Sequence, residues 1–317
     1  HARATHIDWA CDSLVPLLEN RHESSMTHVI STVLDAQADL GECPRWHAAE
    51  GLLYWVDIHR CELHRLDPVT GNNETRRFDQ PIGCFAFCAK GGLLLAMENG
   101  LAILETWDAD PVPFGAQILA DKPDLRFNDG ATDREGRFWV GTVNTAKSAH
   151  DAALYRVDPN GEISFIEGDM LTCNGAAFNA AGTRFHHADT PSHQLRAYDV
   201  DRATGTIFNR RILHSFEQGT GRPDGGSFDA EGCYWSALFD GGRVVRLSPT
   251  GELLQTVDVP VRRPTMVAFG GADLRTAYVT SARAGLSAED LLSQPLAGAI
   301  FSFSVDVPGI PETAFVG

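Results

Sequence analysis

The stretch Arg126-Phe127-Asn128-Asp129-Gly130 sets a cation, an amide and a carboxylate directly before a glycine, and a strand-like run follows. The same kind of signal occurs three more times, as Gly41-Glu42-Cys43-Pro44, Cys173-Asn174-Gly175 and Arg222-Pro223-Asp224-Gly225. From Glu42, the successive steps to Asn128, Asn174 and Asp224 are 86, 46 and 50 residues. A blade-like unit near Ile82-Gly83-Cys84 divides the longest gap. A repeat of about 40–50 residues without helical periodicity points to a propeller or a similar array. Equivalent positions of different blades then meet around one axis. Oxygen-bearing side chains far apart in sequence would face one another there, which is the geometry of a metal centre.

Outward from these signals, each unit alternates turns and strands, with Gly, Asp and Asn as punctuation. Leu52-Leu53-Tyr54-Trp55-Val56-Asp57-Ile58 is followed by Glu62-Leu63-His64-Arg65-Leu66-Asp67-Pro68. The pattern returns at Arg137-Phe138-Trp139-Val140, at Leu195-Arg196-Ala197-Tyr198 and at Cys233-Tyr234-Trp235-Ser236. These runs are aromatic and β-branched, as half-buried pleated surfaces prefer. Asp-x-x-Gly turns precede two of them, at Asp133–Gly136 and Asp229–Gly232. The units start near residues 42, 83, 128, 174, 224 and 265. The expected fold is therefore all-β, a six-bladed β-propeller of four-stranded antiparallel blades. An open edge strand would be an aggregation hazard, so residues 29–34 are expected to close the last blade. The one helix-like stretch, Ser287 to Gln294, reads as an excursion within blade six.

The 317 residues include 43% hydrophobic ones, enough for an ordinary core in a single large unit. No apolar run approaches the roughly 20 residues of a membrane span. The formal net charge of -16 argues against a nucleic-acid partner, which requires a basic surface. Such acidity would also repel an anionic product and assist its release. The seven cysteines are odd in number and lack C-x-x-C spacing, which disfavours both a disulfide framework and a thiolate zinc site. Free buried thiols in a reducing cytoplasm fit this usage. Cys43 and Cys173 read as packing residues. Residues 1–25 differ in character and read as a leader or added extension without function. The catalytic domain is expected over 26–317, as a monomer or small homo-oligomer.

Glu42, Asn174 and Asp224 offer two carboxylates and an amide carbonyl. This all-oxygen set suits a hard divalent ion such as Ca²⁺, Mg²⁺ or Mn²⁺. With so few protein ligands, Zn²⁺ and Fe²⁺ also stay open. Unfilled positions are what a catalytic ion needs. Each Asn-Gly or Asp-Gly pair alone is equally a turn former; the shared register and Glu42 favour the ion. Arg126 and Asn128 occupy the same register and are candidates to bind substrate oxygens, with a blade-to-blade ion pair as the alternative for Arg126. Asp129 reads as a turn-fixing acceptor, and Asp189 as a strand-end turn residue. His186-His187 lie inside a strand, where alternation is expected to turn one of them outward. No phosphate loop and no G-x-S-x-G elbow is present.

The ordered set of motifs resembles the SMP-30/gluconolactonase/regucalcin family of sugar lactonases. It comprises Gly41-Glu42-Cys43-Pro44 with Trp46, Arg126-Phe127-Asn128-Asp129-Gly130, Asn174-Gly175, Pro223-Asp224-Gly225 and Gly241-Gly242-Arg243-Val244-Val245-Arg246-Leu247. The tail Ala282-Arg283-Ala284-Gly285-Leu286 with Gln294-Pro295-Leu296-Ala297-Gly298 belongs to it too. The resemblance spans nearly everything from about residue 40 onward. It implies one divalent ion in the central channel, held by Glu42, Asn174 and Asp224. It also implies that Arg126 and Asn128 contact a sugar lactone and that Asp224 is the general acid/base. One departure concerns specificity. Animal members carry acidic residues after the Gly-Thr that matches Gly141-Thr142, whereas this chain reads Val143-Asn144-Thr145-Ala146. Bacterial aldonolactonases look closer, with Pro81-Ile82-Gly83 lining the second blade. Two other classes remain at this stage: a related propeller esterase or phosphotriesterase, and a non-enzymatic calcium-binding propeller.

Overall fold

Alternating apolar and polar runs separated by tight turns fold here into six four-stranded antiparallel sheets, seen in a computed structural model that describes residues 28–317. The proposed extension at 1–25, including Cys11, lies outside the described residues. The innermost strands are Gly41–His47, Ile82–Phe87, Leu125–Thr132, Cys173–Phe178, Arg222–Phe228 and Pro264–Gly270, for blades 1 to 6. Each touches its two neighbours, and blade 1 meets blade 6, so the ring is closed. Ser31–Leu34 pairs with Ile300–Ser304 and supplies the fourth strand of blade 6, as expected for closure. The helix forms at Ala288–Ser293, capped by Ser287 in a reciprocal box with Asp290. Among the described residues, no helix is long and apolar enough to cross a membrane.

The blades adhere through packed faces. Trp55, Trp139 and Trp235, from second strands, are essentially fully buried. The Asp-x-x-Gly turns have a defined job. Asp133 accepts from the Trp139 indole at 3.0 Å, the Arg137 guanidinium at 2.6 Å and two backbone N–H groups. Asp229 repeats the arrangement with Trp235 at 3.0 Å and Arg246 at 2.8 Å. A buried carboxylate is tolerable only when its acceptor sites are filled in this way.

His186 and His187 correct the expectation that one of them faces out. Both are buried, on the second strand of blade 4, Arg184–Asp189. The alternation rule assumes a sheet with one wet face, but stacked blades cover both faces. His186 packs on Phe228 and Tyr234, and His187 on Phe185. Burial holds both imidazoles neutral, with pKa values lowered to about 3.

All six innermost strands share one irregularity. Each carries one extra residue relative to its partner strand, between Glu42 and Arg45, Ile82 and Cys84, Phe127 and Gly130, Asn174 and Ala177, Pro223 and Gly226, and Pro264 and Met266. Such β-bulges re-aim side chains out of the ladder. The polar signals read from the sequence coincide with these bulges.

The far ends of the same strands are closed by the chain after Ser304. Pro308 and Gly309 bond to blades 5 and 6, and Phe315 and Val316 bond to blades 2 and 3. Between them Glu312 meets the buried Arg45 guanidinium at 2.8 Å, and Arg45 also donates to the Gly130 carbonyl. The segment crosses the floor of the channel like a strap.

Candidate active site

Four bulges converge at the open end of the channel. Cys43 adopts φ 49° and Gly175 φ 65°, left-handed turns that interrupt the strands of blades 1 and 4. Glu42, Asn128, Asn174 and Asp224 are all buried at or beside the bulges of blades 1, 3, 4 and 5. Hydrogen bonds link those of blades 3 and 4 to the strand that carries Asp224, while Glu42 stands outside this chain. Arg126 donates to Asn128 Oδ1 at 2.8 Å and to the Phe127 carbonyl at 2.9 Å. Asn128 Nδ2 donates to Asn174 Oδ1 at 2.8 Å and to the Cys173 carbonyl at 2.9 Å. Asn174 Nδ2 donates to Thr190 Oγ1 at 2.8 Å, and Thr190 in turn donates to the Pro223 carbonyl at 2.8 Å, one residue before Asp224. Arg126 thus makes no blade-to-blade ion pair among the described residues. Thr190 is a member that sequence reasoning missed; Asp189-Thr190-Pro191 gave only a turn signal.

The electrostatics of the site are unbalanced. Burial pushes the Glu42 carboxyl well above its usual range, and Asp224 and Asp129 add to the rise. Burial also pushes Asp224 well up, with Asp129 adding and with Arg222 and Lys147 opposing. Asp224 Oδ1 is buried with no hydrogen-bond partner, and the one donor to Glu42 among the described residues is the Cys43 N–H at 3.2 Å. Two buried, mutually repelling carboxylates with unfilled acceptor sites fit a divalent cation, which would favour their charged forms. Among the described residues no three His, Cys, Asp or Glu side chains cluster as a metal site; the oxygen set here needs the Asn174 amide to reach three members. Asp129 behaves differently. It accepts from the Gly130 N–H at 2.8 Å and the Ala176 N–H at 3.1 Å, tying blade 3 to blade 4, and burial raises it to about 6 against the pull of Arg45. This is the turn-fixing role expected of it.

The cysteines beside the site are packing groups. Cys43 and Cys173 are buried and free, and burial pushes Cys43 up to about 11 and Cys173 higher still. Thiols so far from ionisation are poor nucleophiles. Asp189 accepts the Leu171 and Thr172 N–H groups at 3.1 and 2.9 Å, a loop-fixing role. Around the mouth stand Arg126, Lys147 and Arg222. Burial lowers Arg126 to about 10 and Lys147 to about 8, so both carry charge at neutral pH.

Comparison with known proteins places this arrangement in a family. The model of the SMP-30/Gluconolactonase/LRE-like region matches residues 40–283. A 6-deoxy-6-sulfogluconolactonase of Pseudomonas putida is 43% identical over 297 residues, covering 92% of this chain and 100% of that protein. Human regucalcin is 35% identical over 295 residues, covering 91% and 98%. Among solved structures, a calcium-binding regucalcin of Agrobacterium tumefaciens superposes with a TM-score of 0.87 at 26% identity, covering 91% and 98%. The bulge-borne polar groups, the six-bladed ring and these likenesses agree, and the chain belongs to the SMP-30/gluconolactonase/LRE-like family.

Proposed function

We propose that this protein hydrolyses a sugar lactone to the open aldonic acid, with a divalent ion held by Glu42, Asn174 and Asp224. The observation that carries the reading is the pair of buried carboxylates at the channel's open end, one with an unpartnered oxygen. The family and the lactonase named among its relatives support the substrate class. The bound cation would supply Lewis acidity, polarising the lactone carbonyl and making water more acidic.

The chain's own groups do the rest. Arg126 donates to sugar oxygens, and Asn128, whose two amide hydrogens are held by Asn174 and the Cys173 carbonyl, accepts from a sugar hydroxyl through Oδ1; together they orient the ring. Their mutual hydrogen bond pre-sets that geometry. One oxygen of Asp224 removes a proton from the attacking water as the carbonyl carbon is attacked. The same proton then passes to the ring oxygen as the C–O bond breaks, leaving a hydroxyl and a carboxylic acid. A carboxylate that binds a cation is a weaker base. If Asp224 helps to hold the ion, its second oxygen would be the one left to take the proton.

The test is a pH-indicator assay over five- and six-membered aldonolactones. It is run after chelation and again with Ca²⁺, Mg²⁺, Mn²⁺, Zn²⁺ or Fe²⁺ restored singly. Lactone turnover that returns with a cation is the expected result. Robust arylester or phosphotriester turnover without lactone turnover would move the protein to another hydrolase class.

A further inference from the structure

An asparagine side chain offers an oxygen and a nitrogen of nearly equal size, and only the oxygen can bind a cation. Something in the site must decide which of the two Asn174 presents. The hydrogen bonds around it do so through their direction. At one end stands Arg126, whose guanidinium donates and never accepts; it donates to Asn128 Oδ1 at 2.8 Å. At the other end stands the Pro223 carbonyl, which accepts and never donates; it takes the Thr190 hydroxyl at 2.8 Å. Between them Asn128 Nδ2 donates to Asn174 Oδ1, and Asn174 Nδ2 donates to Thr190 Oγ1, both at 2.8 Å. With a pure donor first and a pure acceptor last, all four bonds run the same way. Turning over either amide would set donor against donor on one side and acceptor against acceptor on the other.

Thr190 is the joint of this chain. A hydroxyl has one proton and two lone pairs. Because its proton goes to Pro223, Thr190 can only accept from Asn174. The residue is buried, directly after Arg184–Asp189 of blade 4, and its own place is fixed. Its N–H donates to the Thr172 carbonyl at 3.0 Å, and Asp189 takes the N–H groups of Leu171 and Thr172. The carbonyl it grips belongs to blade 5, one residue before Asp224. One hydroxyl thus touches the side chain of one proposed ligand and the backbone beside another.

We propose that Thr190 is a positioning residue of the cation site. It holds the Asn174 amide so that Oδ1 and not Nδ2 is offered to the ion, and it ties that amide to the strand carrying Asp224. The inference rests on the ion reading above. After accepting from Asn128, Asn174 Oδ1 keeps a second lone pair for the ion. Without Thr190 the amide would be oriented from one side only, by Asn128, whose own oxygen is shared with the sugar in the proposed reaction. Groups that orient a metal ligand from behind are worth about 10–100-fold in metal affinity.

The experiment titrates Ca²⁺, Mg²⁺, Mn²⁺, Zn²⁺ and Fe²⁺ singly into the chelated wild type by calorimetry, and then the tightest-binding ion into the variants. Thr190→Val keeps the shape and loses the hydroxyl; its Kd for the ion should weaken by ~10-fold or more. Thr190→Ser keeps the hydroxyl and should return the Kd close to that of the wild type. Lactone turnover by Thr190→Val should recover as the ion is raised to saturation, because Thr190 positions a ligand and moves no proton. A Thr190→Val protein with the wild-type Kd, a Thr190→Ser protein that binds as weakly as Thr190→Val, or turnover that stays lost at saturation overturns the proposal and leaves the lactonase reading standing. Neutron diffraction from the ion-loaded wild type tests the same point without any variant. The Thr190 deuteron should lie toward the Pro223 carbonyl and an Asn174 deuteron toward Thr190, and Asn174 deuterons turned to the ion would overturn the proposal. A wild type that binds none of the ions overturns the ion reading itself, and Thr190's role with it.

Discussion

The two ends of the central channel are built from the same six strands and have opposite polar character. At the closed end, Arg45 is buried but meets Glu312 and the Gly130 carbonyl. The strap satisfies its backbone partners on four blades. At the open end, Glu42 and Asp224 are equally buried, yet they repel each other and Asp224 Oδ1 has no partner. Buried polar groups in a stable protein are normally paired. The closed end pairs both terminal nitrogens of Arg45 and leaves its Nε bare, whereas the open end leaves a carboxylate oxygen bare, where a ligand would complete the set.

The largest expected effect is at the open end. With cation saturating, Asp224→Asn should lower kcat by about 10³-fold, the range of a lost general acid/base, with a far smaller change in KM. Equal losses in both would mean that Asp224 only holds the ion. The same substitution removes a buried repulsion, so the chelated variant should melt no lower than the chelated wild type. The closed end should answer in the reverse sense. Arg45→Met leaves Glu312 and the Gly130 carbonyl without their partner and should cost about 3 kcal/mol in denaturant unfolding, with the cation response of the remaining folded protein intact. If Arg45→Met abolished the cation response instead, the two ends would not be independent.

Cation addition should separate the ends further. At 100 times its Kd, the ion should stabilise the chelated wild type by about 2.7 kcal/mol. Glu42→Gln should lose most of that gain, and Arg45→Met should keep it. A smaller effect comes from neither end. His186 and His187 have folded pKa values near 3, far below the ordinary 6.5. Between those values the unfolded chain binds protons that the folded chain does not, so stability falls as pH drops through that window. His187→Phe should flatten this acid limb in a pH series of denaturant midpoints, and it should leave the pH 8 midpoint equal or higher, since both His187 ring nitrogens are unpartnered.

Much of the ring was legible because its signals are local. Asn-Gly, Asp-Gly and Cys-Pro each mark a place where the chain leaves the ladder, and the spacing of these places follows the blades. The closing strand and the helix-like stretch from Ser287 to Gln294 were readable for the same reason. The strap was not. Arg45 and Glu312 are 267 residues apart, and neither lies in a pattern that announces the other. Thr190 and Lys147 were hidden because their partners come from neighbouring loops, which a one-dimensional reading cannot bring together. The histidine pair was misjudged because period-2 alternation reports one wet face, and this strand has none. The motif residues Glu42, Asn128, Asn174 and Asp224 were picked out by register, but the imbalance of charge among them needed three dimensions.

The six bulges are not equivalent sockets. In blade 2 the bulge residue is Gly83, where a Cβ would overlap the Phe127 carbonyl oxygen, so the next blade's backbone has filled that position. In blade 6 it is Thr265, whose hydroxyl is committed to Gly41 and Thr280. The polar groups proposed to do the chemistry sit at the remaining four, spread unevenly around the axis. A perfectly regular rosette could receive a guest in any of six rotations. This one has lost that freedom, and a stereochemically rich guest such as a sugar could enter it in one orientation and present a single face to the proton carrier.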